Sequence, residues 1–212
     1  MSTKLGLYQG AHIILGENAV DMTVTDDSAF VNSLDVVYDR VLAHCLAAGD
    51  WNHATRTVSI EASEDVSSSF GYTTVIVKPD DYAGRIVSLS GNELFDPPLD
   101  DYHEEGGLEG YIYCHIDPLY LRYISNGVAY GLNLAAWPPA FELYVEHELA
   151  FRVARQLTTM SAAEKEELRK ERNRALRDAK AKDARNQGTQ WLPQGRLVQS
   201  RGWPSTRSRW RY

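Results

Sequence analysis

The side chains with the most chemical potential are few, and their spacing does not suit the chemistry they suggest. His147-Glu148 opens like a zinc-protease helix, in which a second His four positions after the first puts two imidazoles on one face. That position holds Phe151. His44-Cys45 and Cys114-His115 are adjacent pairs, and neighbours on a helix or strand point apart, so neither pair chelates well. Glu142 and Glu146 stand one helical turn apart and could share acid–base work in glycoside cleavage. Yet the first 150 residues carry 23 Asp+Glu, so such pairs arise by chance, and a solvated or inter-subunit face accounts for them. The phosphate loop GxxxxGK[ST], the GxGxxG turn and the GxSxG elbow are all missing. The expectation is a non-enzyme with no catalytic, cofactor-binding or metal-ligating residues.

The charge is distributed more tellingly. The 212 residues sum to −7, but residues 1–150 carry −17 and residues 151–212 carry +10. After Asp183 there is no acid, and Arg185, Arg196, Arg201, Arg207, Arg209 and Arg211 remain. An acidic body with a basic end attracts other acidic surfaces or a neighbouring copy of itself. Three of the five Trp, namely Trp191, Trp203 and Trp210, fall among these Arg. Disordered tails are normally poor in aromatics, and Trp with Arg is the pairing that anchors protein interfaces. The last 25 residues therefore read as an extended arm, up to ~85 Å long, that orders on a partner. Arg interleaved with aromatics also suits nucleic acid, but the acidic body opposes a polyanion, and a protein partner is favoured.

The remaining chain supplies the elements. Apolar residues at 43% and charged residues at 24% are ordinary globular usage. No apolar stretch is long enough to span a bilayer, and the first six residues lack the apolar core of a secretory leader. Cys45 and Cys114 read as buried small apolar residues. Leu5, Tyr8, His12 and Leu15 predict a first helix over about 3–15, stopped by Gly16. A second helix follows the Asp26-Asp27-Ser28 cap, with a stripe of Phe30, Leu34, Val37, Val41 and Cys45, and ends at Gly49. Residues 55–125 change to alternating, β-branched runs, with Gly106-Gly107 as a hairpin turn and two strands flanking Asp117-Pro118. A third helix opens at Pro138-Pro139 with the stripe Phe141, Val145, Leu149 and Val153. A fourth opens with the capping box Ser161-Ala162-Ala163-Glu164 and runs to about Asn186, roughly 40 Å. That helix is so polar that its place in its own subunit's core is not expected. The fold expected is α+β: an antiparallel helical bundle with one inserted small antiparallel β unit, a long polar C-terminal helix and an extended arm. The divisions are 1–54, 55–137, 138–187 and 188–212.

The order of these features resembles the head-to-tail adaptor family of short-tailed bacteriophages. Leu7-Tyr8-Gln9-Gly10-Ala11 and Leu15-Gly16-Glu17 are similar to its opening helix and stop. Leu34 to Asp39, then Cys45-Leu46-Ala47-Ala48-Gly49-Asp50-Trp51-Asn52, resemble its second helix and Trp-Asn exit, although the Phe expected next is His53 here. Tyr72 through Lys78-Pro79-Asp80-Asp81-Tyr82 is similar to its aromatic strand and turn. The Pro138 helix and long charged helix fit its close. The resemblance implies a virion protein of the tail neck, assembled in the host cytoplasm. It implies a ring of twelve copies joining portal to tail nozzle, passing DNA through its channel without specific binding, and offering sites for tail fibres. The C-terminal segment would then clasp the portal, through Trp191, Arg196, Arg201, Trp203, Arg209 and Trp210. The rival readings are a glycan-degrading tail enzyme using Glu142 or Glu146, and a nucleic-acid-binding module.

Overall fold

A computed structural model of the chain describes residues 3–16, 29–63, 66–68, 71–107, 110–157 and 160–186. Among them are four α-helices: α1 (Lys4–Ile14), α2 (Ala29–Ala47), α3 (Pro139–Leu157) and α4 (Ala162–Arg185). Six strands lie between α2 and α3: β1 (Thr55–Ile60), β2 (Thr74–Val77), β3 (Tyr82–Ser90), β4 (His103–Glu105), β5 (Tyr111–Cys114) and β6 (Leu119–Ser125).

Local signals place the helix ends well. The Thr3 hydroxyl accepts from the Gly6 N–H at 3.1 Å to cap α1, and Gly16 sits beyond its end at φ 83°. Of the expected α1 stripe Tyr8 and Leu15 are buried and Leu5 and His12 only half-buried, while Leu7 and Ala11 complete the buried face. In α2, Leu34, Val41 and Cys45 are buried as expected, joined by Val31, Leu42 and Leu46. The Asp26-Asp27-Ser28 cap lies outside the described residues. In α3 all four expected stripe residues are buried, together with Tyr144, Glu148, Ala150 and Ala154. The reason is position: α1, α2 and α4 all pack on α3, so it is covered on several sides. Trp51 caps this core by setting its ring 4.8 Å from Phe141 while its indole N–H donates to the Cys45 carbonyl at 2.8 Å.

The β region overturns the expected fold class. Instead of one small β unit, the strands form two three-stranded antiparallel sheets, ordered β1-β6-β3 and β2-β5-β4, so the fold is mixed α/β with four helices and two sheets. The hairpin at Gly106-Gly107 is present, both glycines at positive φ, joining β4 to β5. The strands flanking Asp117-Pro118 do not pair with each other, because β5 lies in one sheet and β6 in the other. A single sheet would leave one apolar face open to water. Stacked face to face, the two sheets bury Leu89, Leu119, Leu121 and Tyr123 against Ile76, Ile112 and Cys114. Alternation says which residues share a face, but not which strands share a sheet.

A bulge connects this sandwich to the helices. Ile86 pairs with Tyr123 and Ser88 with Arg122, leaving Val87 without an opposite number. Val87 therefore turns to the helical core, where Ile124 and Ala83 join it. The β1-β6-β3 sheet is thus the middle layer, with helices behind it and the β2-β5-β4 sheet in front.

Lys78 holds the outer sheet's hairpin. Its side chain has no exposed surface, and its ammonium donates to the Glu105 and Gly107 carbonyls and meets the Glu104 carboxylate at 2.8 Å. Lys78→Met is expected to lower stability by about 2–3 kcal/mol, since it strands these acceptors. Urea unfolding measures the loss, and faster amide exchange across 103–107 locates it.

Candidate interaction surface

The fourth helix is positioned by its ends and by small side chains. Ser161 and Glu164 complete the expected capping box: the serine hydroxyl accepts from the Glu164 N–H, and the Glu164 carboxylate accepts from the Ser161 N–H at 2.7 Å. At the other end Asp183, 7% exposed, accepts from the Asn52 N–H at 3.2 and 3.3 Å, and the Asn52 amide donates to the Asp183 carbonyl at 2.9 Å. Between the ends, Leu168, Ala175 and Ala179 are buried against the helical core. The expectation that so polar a helix stays out of its own core is corrected here. The Ala residues present no bulk, so α4 can lie close on α3 with a narrow apolar seam and a broad polar back. Arg169, Lys170, Arg174, Arg177, Lys180, Lys182 and Arg185 are exposed.

The seam is pinned by a buried charge. Glu148 of α3 is fully buried; one oxygen accepts from Arg152 Nε at 2.7 Å and lies 4.0 Å from His44 Nε2 of α2, and the other lies 3.6 Å from Arg172 Nε of α4. Arg172 also covers the Phe151 ring at 4.4 Å. Three helices thus meet on one carboxylate. Its negative charge and the surrounding burial push the neighbouring Cys45 thiol and Tyr144 phenol well above their ordinary ranges, burial being the larger cause for both.

The body's own cations are largely used within the body. Lys4 pairs with Asp35, Arg56 with Asp81, Lys78 with Glu104 and Arg85 with Asp50. Arg122 lies over the Phe95 ring. The Asp81 carboxylate is the most integrated: burial pushes it up, but bonds from Ser125, Tyr123 and Arg56 outweigh that and hold it below the usual range. Meanwhile Glu93, Asp96, Asp100, Asp101, Glu104 and Glu105 are all exposed along the outer sheet and the loop leading into it, with Lys78 the partner of Glu104. Acid is therefore in surplus on the sandwich, and exposed base outnumbers exposed acid on α4.

The candidates for chemistry are placed differently from one another. Glu146 is half-buried between α3 and α1. Its carboxyl occupies the room left by Gly10, where an added Cβ would lie 2.3 Å from its Cδ. Burial first, and the Glu142 charge second, push Glu146 up to about 7. Neither acid lines the cavities that open beside Trp51 and Phe141, beside Arg56 and Tyr130, and beside Gly49 and Arg85. His44 is exposed while Cys45 is buried in the helical core and Cys114 in the sandwich, so the His/Cys pairs are not brought together. Among the described residues no group of His, Cys, Asp or Glu is placed to hold a metal ion, and no helix is long and apolar enough to cross a membrane. His53 fills an aromatic slot, 4.6 Å from Phe141 and 6.4 Å from Trp51, with burial pushing it down to about 4. This is the place of the Phe expected from the resemblance.

The six arm residues Trp191, Arg196, Arg201, Trp203, Arg209 and Trp210 lie outside the described residues. No protein-family model matches the chain, and no curated protein matches it. Sequence reasoning passed over Glu148, whose role depends on three helices meeting, and Asp183 with Asn52. The one available signal was the small-residue spacing Ala175 and Ala179, which marks a close-packing helix face.

Two outcomes follow from this geometry. The double variant Arg152→Met/Arg172→Met is expected to lose about 3 kcal/mol, because Glu148 stays buried with only His44 nearby. Adding Glu148→Met should restore much of that loss, as urea unfolding will measure. Glu146 titrates near its ordinary 4.5 when unfolded and near 7 when folded, so the folded state binds the proton more tightly. Its contribution is whole below about 4.5 and is lost as pH rises through 7. Glu146→Gln should flatten that decline, and Gly10→Ala should expel the carboxyl and return its NMR titration toward the ordinary range.

Proposed function

We propose that the protein is a structural subunit of a phage neck: a head-to-tail adaptor whose copies close into a ring between portal and tail nozzle. The observation that carries this reading is the separation of charge. Seven cations are exposed on α4, of which Arg169 pairs with Glu166, beside four exposed acids; most body cations are paired within the body, and the sandwich edge exposes a row of carboxylates from Glu93 to Glu105. A surface whose complement lies elsewhere on the same molecule makes head-to-tail contacts, and such contacts close into rings when the rotation allows. A surplus of acid on the body also suits a channel wall along which DNA slides without adhering.

Docking on the portal is assigned to the arm, through Trp191, Arg196, Arg201, Trp203, Arg209 and Trp210. Buried Trp anchors and bidentate Arg–carboxylate bonds would offset the entropy lost as the arm orders. The function is then binding and alignment. The ordered sequence resemblance supports the same reading, and tail fibres would find their sites on the outer wall of the ring.

The test is the mass of the assembly. Sedimentation of the protein with its portal is expected to give a ring-sized complex that weakens as salt rises from 50 to 300 mM, as screened charge contacts do. Arg174→Glu/Arg177→Glu/Lys180→Glu should stop ring closure, and removal of residues 196–212 should stop portal docking while leaving the fold unchanged. Unaltered assembly by the charge-reversed protein would sink the ring interface. Tight, steeply salt-dependent binding of bare DNA would favour the nucleic-acid reading instead.

A further inference from the structure

A groove of about 420 Å³ opens where the last turn of α4 passes the first turn of α3. Trp51 and Phe141 form its floor, Pro138 and Pro139 one wall, and Ala179 and Asn186 the other. It is the aromatic end of a surface that is otherwise charged. Lys182 and Arg185, both exposed, line it with the mostly buried Asp183. We propose that this groove seats the chain's own Trp191-Leu192-Pro193 segment, so that Trp191 anchors the root of the arm to the body.

Three observations point to this occupant. The first is where the described chain stops. Asn186 is itself part of the groove wall, and Trp191 follows five residues later, an extended reach of roughly 17 Å. A tether that short holds the indole near the groove at an effective concentration on the order of millimolar. The second is charge. The rim cations repel the Arg-rich part of the arm, but residues 186–195 carry no charge at all, and Arg196 is the first cation after Arg185. The uncharged stretch coincides with the stretch that can reach. The third is hydrogen bonding. Among the described residues the Asp183 carboxylate accepts from the Asn52 N–H at 3.2 and 3.3 Å, and its further lone pairs can accept an indole N–H. Pro193 brings no N–H of its own to satisfy and packs against Pro138 and Pro139.

Trp191 is thereby separated from Trp203 and Trp210. It fixes the point from which the distal arm departs, whatever that arm docks on. The inference does not rest on the adaptor reading.

Amide exchange on the full-length protein tests it. Ala140, Phe141 and residues 182–186 should be protected in the wild type and should exchange on the order of tenfold faster in Trp191→Ala. Trp203→Ala should leave them unchanged, and unaltered exchange in α2 confirms that each variant is folded. The proposal is overturned if wild type and Trp191→Ala exchange alike at the groove, or if Trp203→Ala is the variant that deprotects it. Protection that disappears on dilution would give the groove to a neighbouring copy's arm and would equally overturn the assignment.

Discussion

A single carboxylate without exposed surface sits where α2, α3 and α4 come together, and the placement of α4 depends on it. An ionised Glu148 surrounded by Leu149, Val145 and Cys45 would be costly if unpaired. Arg152 of the same helix, Arg172 of α4 and His44 of α2 lie around it, so two neighbouring helices each bring a basic group to it. The apolar seam of α4 is too thin to orient the helix by itself: Leu168, Ala175 and Ala179 bury little area, and they would tolerate a rotation or a slip of one turn. The arginine of α4 that must reach Glu148 removes that freedom. Buried ion pairs are weak sources of net stability but strong sources of specificity of this kind.

With register settled at Glu148 and both ends tied, by the Ser161 capping box and by Asp183 on Asn52, the remainder of α4 is free to face outward. Its exposed back carries seven cations, one of them, Arg169, paired with Glu166 of the same helix. The sandwich has the opposite surplus. Its few cations are spent on local tasks: Lys78 on the Gly106-Gly107 hairpin, Arg56 on Asp81, Arg85 on Asp50. The molecule therefore carries its exposed acid and its exposed base in surplus on different elements. Separation of that kind is an association property rather than a folding one, since it adds self-repulsion within each surplus.

The same economy appears at the junction between helices and sheets. Trp51 ends α2, packs on Phe141 of α3 and exposes part of its surroundings to the groove beside Asp183. His53, next in the same turn, occupies a slot that suits a phenyl ring and keeps its imidazole neutral by burial.

Much of the secondary structure could be read directly from the chain. The Thr3, Pro139 and Ser161 starts, the Gly16 stop, the Phe141-Val145-Leu149-Val153 stripe and the Gly106-Gly107 turn are local properties, set by a few consecutive φ/ψ choices and by side chains within one turn. The division of charge between body and C-terminal end was equally legible, because it is a sum over residues and needs no coordinates. Sheet membership was not legible: β5 and β6 are adjacent in sequence yet lie in different sheets, and their alternation is the same either way. Nor was the state of Glu146 and Glu148, two carboxylates of one helix two positions apart. The raised proton affinity of Glu146 goes with its burial against Gly10, and the contacts of Glu148 with His44 and Arg172, partners far away in sequence. Period and capping act over four residues and are written in the chain; desolvation and ion pairing act through space, and only the packed structure decides them.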